Sequence, residues 1–149
     1  MTTATAAATA TVNAPSRSRF FRHVGPVLAG LFTGLVFSLG TDTVMRATGV
    51  FPRFGQPMSD WQFLLATAYR TAYSVLGSYL AARLSSSRAM RNAMILGVLG
   101  VVASSAGLAA TWNKGPEFGP AWYPIALALL ALPCAWLGGK LALRRSAQA

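Results

Sequence analysis

An arginine inside an apolar stretch is the residue of this chain that most needs a chemical explanation. Arg70 stands in the run Thr67-Ala68-Tyr69-Arg70-Thr71-Ala72-Tyr73. It lies about nine residues from where the surrounding apolar segment starts, or roughly 12–14 Å along a helix. If that segment crosses a bilayer, a charge at this depth costs at least about 2.5–3.5 kcal/mol. The guanidinium cannot escape the cost by losing its proton, so it is expected to face protein and to have a partner.

Three acids are available, Asp42, Asp60 and Glu117. Asp42 is the partner the spacing selects. Pro26, Gly30, Gly34 and Ser38 repeat every four residues and Asp42 continues the row, each lying beside the next along the helix surface. Gly30-x-x-x-Gly34 is the small-xxx-small pattern that lets two helices approach closely, and the row therefore points Asp42 at a neighbouring helix. Side chains lean toward the N-terminus of their own helix. In antiparallel neighbours Arg70 leans one way and Asp42 the other, which brings their charges to one depth. Asp60 and Glu117 are alternative partners closer to water.

Two kinds of chemistry follow from such a pair. It can be a structural pin that fixes helix register and performs no reaction. Alternatively, Arg70 with Tyr69, Tyr73, Ser74 and Thr67 offers charge-assisted donors suited to a carboxylate or phosphate. A third reading leaves Arg70 snorkelling to the interface with no true partner. Tyr69 and Tyr73 are a helical turn apart, placed either to line a pocket or to pack.

Enzymatic signatures are missing from the sequence. No GxSxG, HExxH or phosphate-binding GxxxxGK is present. His23 is the only histidine and Cys134 the only cysteine, which excludes an intramolecular disulfide, a CxxC redox pair and a cysteine-based zinc site. Cys134 reads as a small packing residue. No metal and no cofactor is expected, and the acids form no paired-carboxylate arrangement.

The elements that position Arg70 are four apolar runs near the roughly 20 residues that span a hydrocarbon core. They cover about 24–45, 61–84, 92–112 and 121–143. Ser59 with Gln62 resembles a capping box opening the second run, where Asp60 suits the helix dipole. Asn113 to Pro120 is rich in turn formers and predicts a tight hairpin. Gly97, Gly100 and Ser104 give the third run a smooth face, and Pro133 is expected to kink the fourth. Trp61, Trp112, Trp122 and Tyr123 gather at helix ends on one side, as an aromatic belt would, with Trp136 toward the other.

Composition agrees with lipid as the surroundings. The chain of 149 residues is 54% hydrophobic and 11% charged, against roughly a quarter charged in soluble domains. The formal net charge of +10 sits in short clusters beside apolar runs, so it reads as topology and as contact with anionic lipids at a cytoplasmic face, and not as a nucleic-acid footprint. Nine basic residues (Arg17, Arg19, Arg22, Arg83, Arg88, Arg91, Lys140, Arg144, Arg145) flank one side and three (Arg46, Arg53, Lys114) the other. The fold class expected is therefore an all-α membrane protein, a bundle of four transmembrane helices with both termini inside. Residues 1–19 read as a disordered cytoplasmic tail, 20–145 as the transmembrane domain and 146–149 as a cytoplasmic C-terminus. A signal peptide competes for the first apolar run, which is too long for a typical h-region and lacks a convincing cleavage site.

Gly40-Thr41-Asp42, Thr67-Ala68-Tyr69-Arg70 and Gly115-Pro116-Glu117-Phe118-Gly119-Pro120 resemble segments of uncharacterised small bacterial four-helix integral membrane proteins, over roughly residues 25–140. The resemblance implies a bacterial inner membrane and supplies no activity. Small multidrug exporters need a glutamate midway along their first helix, where this chain has Asp42 near the far end. Quinone-coupled disulfide enzymes need cysteine pairs. The function expected is a non-enzymatic accessory or assembly subunit, working with a membrane-protein partner or as a homo-oligomer. The alternative is a transporter or channel component that binds an anionic solute at Arg70 and Asp42, and an enzyme acting on lipid or quinone has the least support.

Overall fold

A computed structural model describes residues 17–85, 88–115 and 118–147. They form four helices in chain order: α1 (Arg17–Ala47), α2 (Asp60–Arg83), α3 (Ala89–Thr111) and α4 (Trp122–Ser146). Two helices start earlier than the apolar runs do, α1 at Arg17 and α3 at Ala89. Arginine and alanine are strong helix formers, so the helix continues where the apolar pattern stops. The stretch read as a tail lies outside the described residues up to residue 16.

Three of the helices are long and apolar enough to cross a membrane, over Val24–Ala47, Ala89–Thr111 and Trp122–Ser146. Four were expected. α2 has the length but not the apolarity, because Arg70, its three tyrosines and its serines and threonines interrupt the run. The position of α2 in the fold explains the difference. It packs against α1, α3 and α4, whereas α1 has only minor contact with α3 and none of substance with α4. A helix packed against three others can keep polar groups on its covered sides, while Leu64 and Leu76 stay exposed on its open side.

Packing is inverted relative to a water-soluble protein. Among the described residues no large side chain is fully buried, and the interior between the helices is mostly alanine (Ala66, Ala81, Ala82, Ala93, Ala135 and Ala142) with Cys134 and Val27, while Phe51 and Phe63 are the large side chains buried to within a few per cent, toward the α1–α2 loop. Other large apolar groups point outward, Phe32 to 68% exposure and Leu129 to 72%. Small residues inside and large ones outside is the arrangement of helices that associate in lipid, where close backbone approach replaces a hydrophobic driving force. Glycines set that approach. A Cβ on Gly77 would lie 2.7 Å from the Gly30 carbonyl, one on Gly97 2.6 Å from the Ala135 Cβ, and one on Gly138 2.5 Å from the Val75 carbonyl.

The ends are tied by hydrogen bonds. Gly49 turns the chain after α1 at φ 76°, a left-handed conformation that glycine adopts without penalty. Gln62 Oε1 accepts from the Ser59 backbone N–H at 2.9 Å, and Gln62 Nε2 donates to the Val50 carbonyl at 2.5 Å. At the other end buried Asn92 donates to Ser85 Oγ at 2.6 Å, and Ser85 donates to the Ala81 carbonyl at 2.6 Å. That chain holds α3 to α2. Pro133 lies within α4, which runs unbroken past it.

Candidate functional site

The site lies where the last turns of α1 face the first half of α2. Gly30 and Gly77 bring the two backbones together, and toward the α1–α2 loop the gap between the helices is filled by long polar side chains. Asp42 accepts from both sides. Arg70 Nη2 reaches its Oδ2 at 2.6 Å, and the Tyr69 hydroxyl donates to its Oδ1. Tyr73, a turn further along α2, shares a hydrogen bond of 2.9 Å with the Thr41 hydroxyl. Two adjacent residues of α1 are thereby held by three residues of one face of α2.

The pair is shielded but not sealed, with Arg70 33% and Asp42 19% exposed in their side chains. α4 supplies a further wall, the Tyr123 ring lying 5.9 Å from the Arg70 guanidinium. The Tyr69 and Tyr73 rings pack tilted at 5.9 Å, and Phe37 packs on Tyr73 at 5.6 Å. Ser74 does not join the cluster. It is exposed and faces the adjoining cleft.

Two cavities meet at Arg70. One, of about 250 Å³, opens on the side of the α1–α2 loop and is lined by Asp42, Arg46, Phe63, Tyr69, Arg70 and Tyr123, with Phe51, Met58 and Phe118. The second, of about 300 Å³, is a cleft between α1 and α3 floored by α2 and α4. Gly30, Gly34, Ser38, Gly97, Gly100 and Ser104, the small residues of the two helix faces, all line this cleft. Gly97 and Gly100 also seat against Ala135 and Ala131 of α4.

Arg46 belongs to the loop-side cavity although in the sequence it counts only as a topological charge. Its Nη1 donates to the Pro52 carbonyl at 2.6 Å and its guanidinium stacks 4.0 Å over Phe54. The signal that could have placed it is the four-residue step from Asp42, which puts both on one face of α1. Thr41 and Tyr123 carried no such signal. Tyr123 arrives from α4, and the spacing along α4 does not mark which residue of α2 it meets. Glu117, an alternative partner on the sequence, lies outside the described residues.

At the opposite end the cations gather at Tyr79 and Trp136. Arg83 donates to the Tyr79 hydroxyl at 2.9 Å, Arg145 lies 6.0 Å from the Tyr79 ring, and Lys140 Nζ lies 4.4 Å from Trp136. Among the described residues no group of three or more His, Cys, Asp or Glu could hold a metal ion.

Comparisons of this chain with protein-family models, with curated proteins and with solved structures give no match.

Proposed function

We propose that this chain is a multi-pass protein of a bacterial inner membrane that crosses four times with both termini inside, and that it works as a non-enzymatic accessory or assembly subunit. In this reading α2 crosses as well, with Thr67 and Ser78 buried and Arg70 partly covered among its neighbours. The basic end, where Arg83 bonds the Tyr79 hydroxyl and Arg145 and Lys140 lie over aromatic rings, meets anionic lipids at the cytoplasmic face. The partner is another membrane protein or further copies of the chain.

One observation carries the reading. The small residues of α1 and α3 converge on a single cleft of about 300 Å³, and small residues at membrane depth are what lets a further helix seat closely. Photobleaching step counts of the labelled protein in vesicles, with pull-down from its native membrane, test it. Gly34→Leu is the informative variant, because a Cβ there meets only the Tyr73 carbonyl at 3.7 Å. Its larger side chain occupies the cleft that Gly34 lines, and the melting profile reports whether the fold is kept. Loss of association in this variant, with an unchanged melting profile, is the expected result. A chain that is monomeric and captures nothing in either form defeats the reading.

A second reading, a transporter or channel component meeting an anionic solute at Arg70 and Asp42, draws on a different observation. Arg70 lines both cavities, so one guanidinium stands between the loop side and the cleft. Anion flux into vesicles that disappears in Arg70→Met supports it. No flux through the unaltered protein counts against it.

A further inference from the structure

We propose that the loop-side cavity binds a small organic monocarboxylate between Arg46 and Arg70, with Asp42 acting as the fixed anchor of Arg70. The inference rests on the second reading above, that Arg70 meets an anion, and adds the ligand class and a second donor.

The charge of the lining comes first. Among the described residues the cavity wall carries two guanidinium groups and one carboxylate, Arg46, Arg70 and Asp42. Their sum is one positive charge in a partly shielded space, which a single monoanion neutralises and a dianion overshoots.

The donors come second. Among the described residues the buried side-chain nitrogen and oxygen atoms without a hydrogen-bond partner are Nε of Arg46 and Nε of Arg70. Both side chains line this one cavity. Each guanidinium is already fixed by another nitrogen, Arg70 through Nη2 to Asp42 and Arg46 through Nη1 to the Pro52 carbonyl. Each group is therefore held at the cavity wall through one nitrogen before any ligand arrives. An arginine presents a planar fork that a carboxylate matches through two parallel bonds. A carboxylate seated between the two groups gives an acceptor to donors for which the described chain supplies none, once each fork turns slightly to expose its covered Nε.

The rest of the wall selects what the carboxylate is attached to. Phe51, Met58, Phe63, Ala66 and Phe118 form the apolar part of the wall beside Tyr69 and Tyr123, and about 250 Å³ holds a small organic body and no more. Inorganic phosphate would leave that apolar surface in contact with a dianion, which disfavours it.

Benzoate is the probe and benzamide its uncharged isostere, titrated by calorimetry into the full-length protein in detergent micelles, with inorganic phosphate as the competing anion. Benzoate is expected to bind saturably, and benzamide at least about tenfold more weakly, since charge-assisted bonds are the stronger kind. Arg46→Met should weaken benzoate by a similar factor. Arg46→Lys, which keeps the cation but not the fork, should fall between, and guards against a misfolded methionine variant. The outcomes separate the claims. If neither benzoate nor phosphate binds, the inference and the reading beneath it both fail. If phosphate binds and benzoate does not, the anion survives and the monocarboxylate is refuted. If Arg70→Met abolishes binding while both Arg46 variants leave it intact, the shared site is refuted and the Arg70 reading stands. If benzoate binds only to Glu117→Gln, the chain fills this cavity with its own carboxylate and the proposal is wrong.

Discussion

Neutralising Asp42 separates a structural pin from an incidental contact. In Asp42→Asn the amide keeps one acceptor oxygen for Tyr69 or Arg70 and loses the charge. Arg70 then faces no anion among the described residues of the cavity wall. Breaking a fully buried pair costs about 3–5 kcal/mol, whereas exposed pairs contribute roughly 0–1 kcal/mol. With side chains 33% and 19% exposed, this pair belongs between those limits, so about 1.5–3 kcal/mol is expected for Asp42→Asn. Arg70→Met should cost a similar amount, because it leaves the carboxylate with the Tyr69 hydroxyl alone. The double variant removes both orphaned charges and should recover about 1–2 kcal/mol of the summed loss. Reversible unfolding in mixed micles of lipid and dodecyl sulfate measures the cycle. A coupling below about 0.5 kcal/mol, the limit within which independent sites add, would mean that the contact contributes nothing as a pair.

The other expectations concern packing and orientation. Gly138→Ala puts a Cβ 2.5 Å from the Val75 carbonyl and 2.8 Å from the Tyr79 nitrogen; overpacking of about 1–3 kcal/mol should lower the melting midpoint in detergent by several degrees. Gly107→Ala meets nothing within 4 Å and should hold or raise the midpoint, by up to about 1 kcal/mol of helix preference, so a loss there would contradict the packing. Tyr73→Phe removes the hydrogen bond to Thr41 and should cost about 0.5–1.5 kcal/mol in the same unfolding assay. For orientation, Gln56→Cys should react with a membrane-impermeant maleimide on intact cells and Ala147→Cys only after lysis. The native Cys134 is buried and gives little background, and the reverse labelling pattern would invert the proposed topology.

The helices were legible because apolar runs of spanning length have few other uses. Their ends were not, since Arg17 and Ala89 continue a helix on propensity where apolarity has stopped. α2 shows the limit of reading each run alone. Its polarity becomes intelligible only once it is known to pack against three neighbours. Around Arg70, what could be read, the Asp42 partner and the tyrosines a turn apart, came from steps along single helices and the lean of their side chains. Thr41 and Tyr123 depend on the register between helices, and Arg46 on a loop that folds back to offer the Pro52 carbonyl. None of that is periodic.

The register itself explains why the polar cluster uses the side chains it does. Gly30 and Gly77 are in contact, which sets a common level on α1 and α2. From there Asp42 lies twelve residues toward the loop, about 18 Å, and Arg70 only seven, about 10–11 Å. Their backbones are thus offset by about 7 Å along the helices, and short side chains could not bridge that distance. Arg70 leans toward the start of α2, which is the direction of the loop, and Asp42 leans back along α1. The two movements close the offset to 2.6 Å. A charge that had to be carried that far needed the longest cationic side chain, and its planar end reaches Asp42 with one nitrogen while still facing the loop-side cavity. Close glycine packing at one level and a long arginine at the next are therefore two consequences of a single register between α1 and α2.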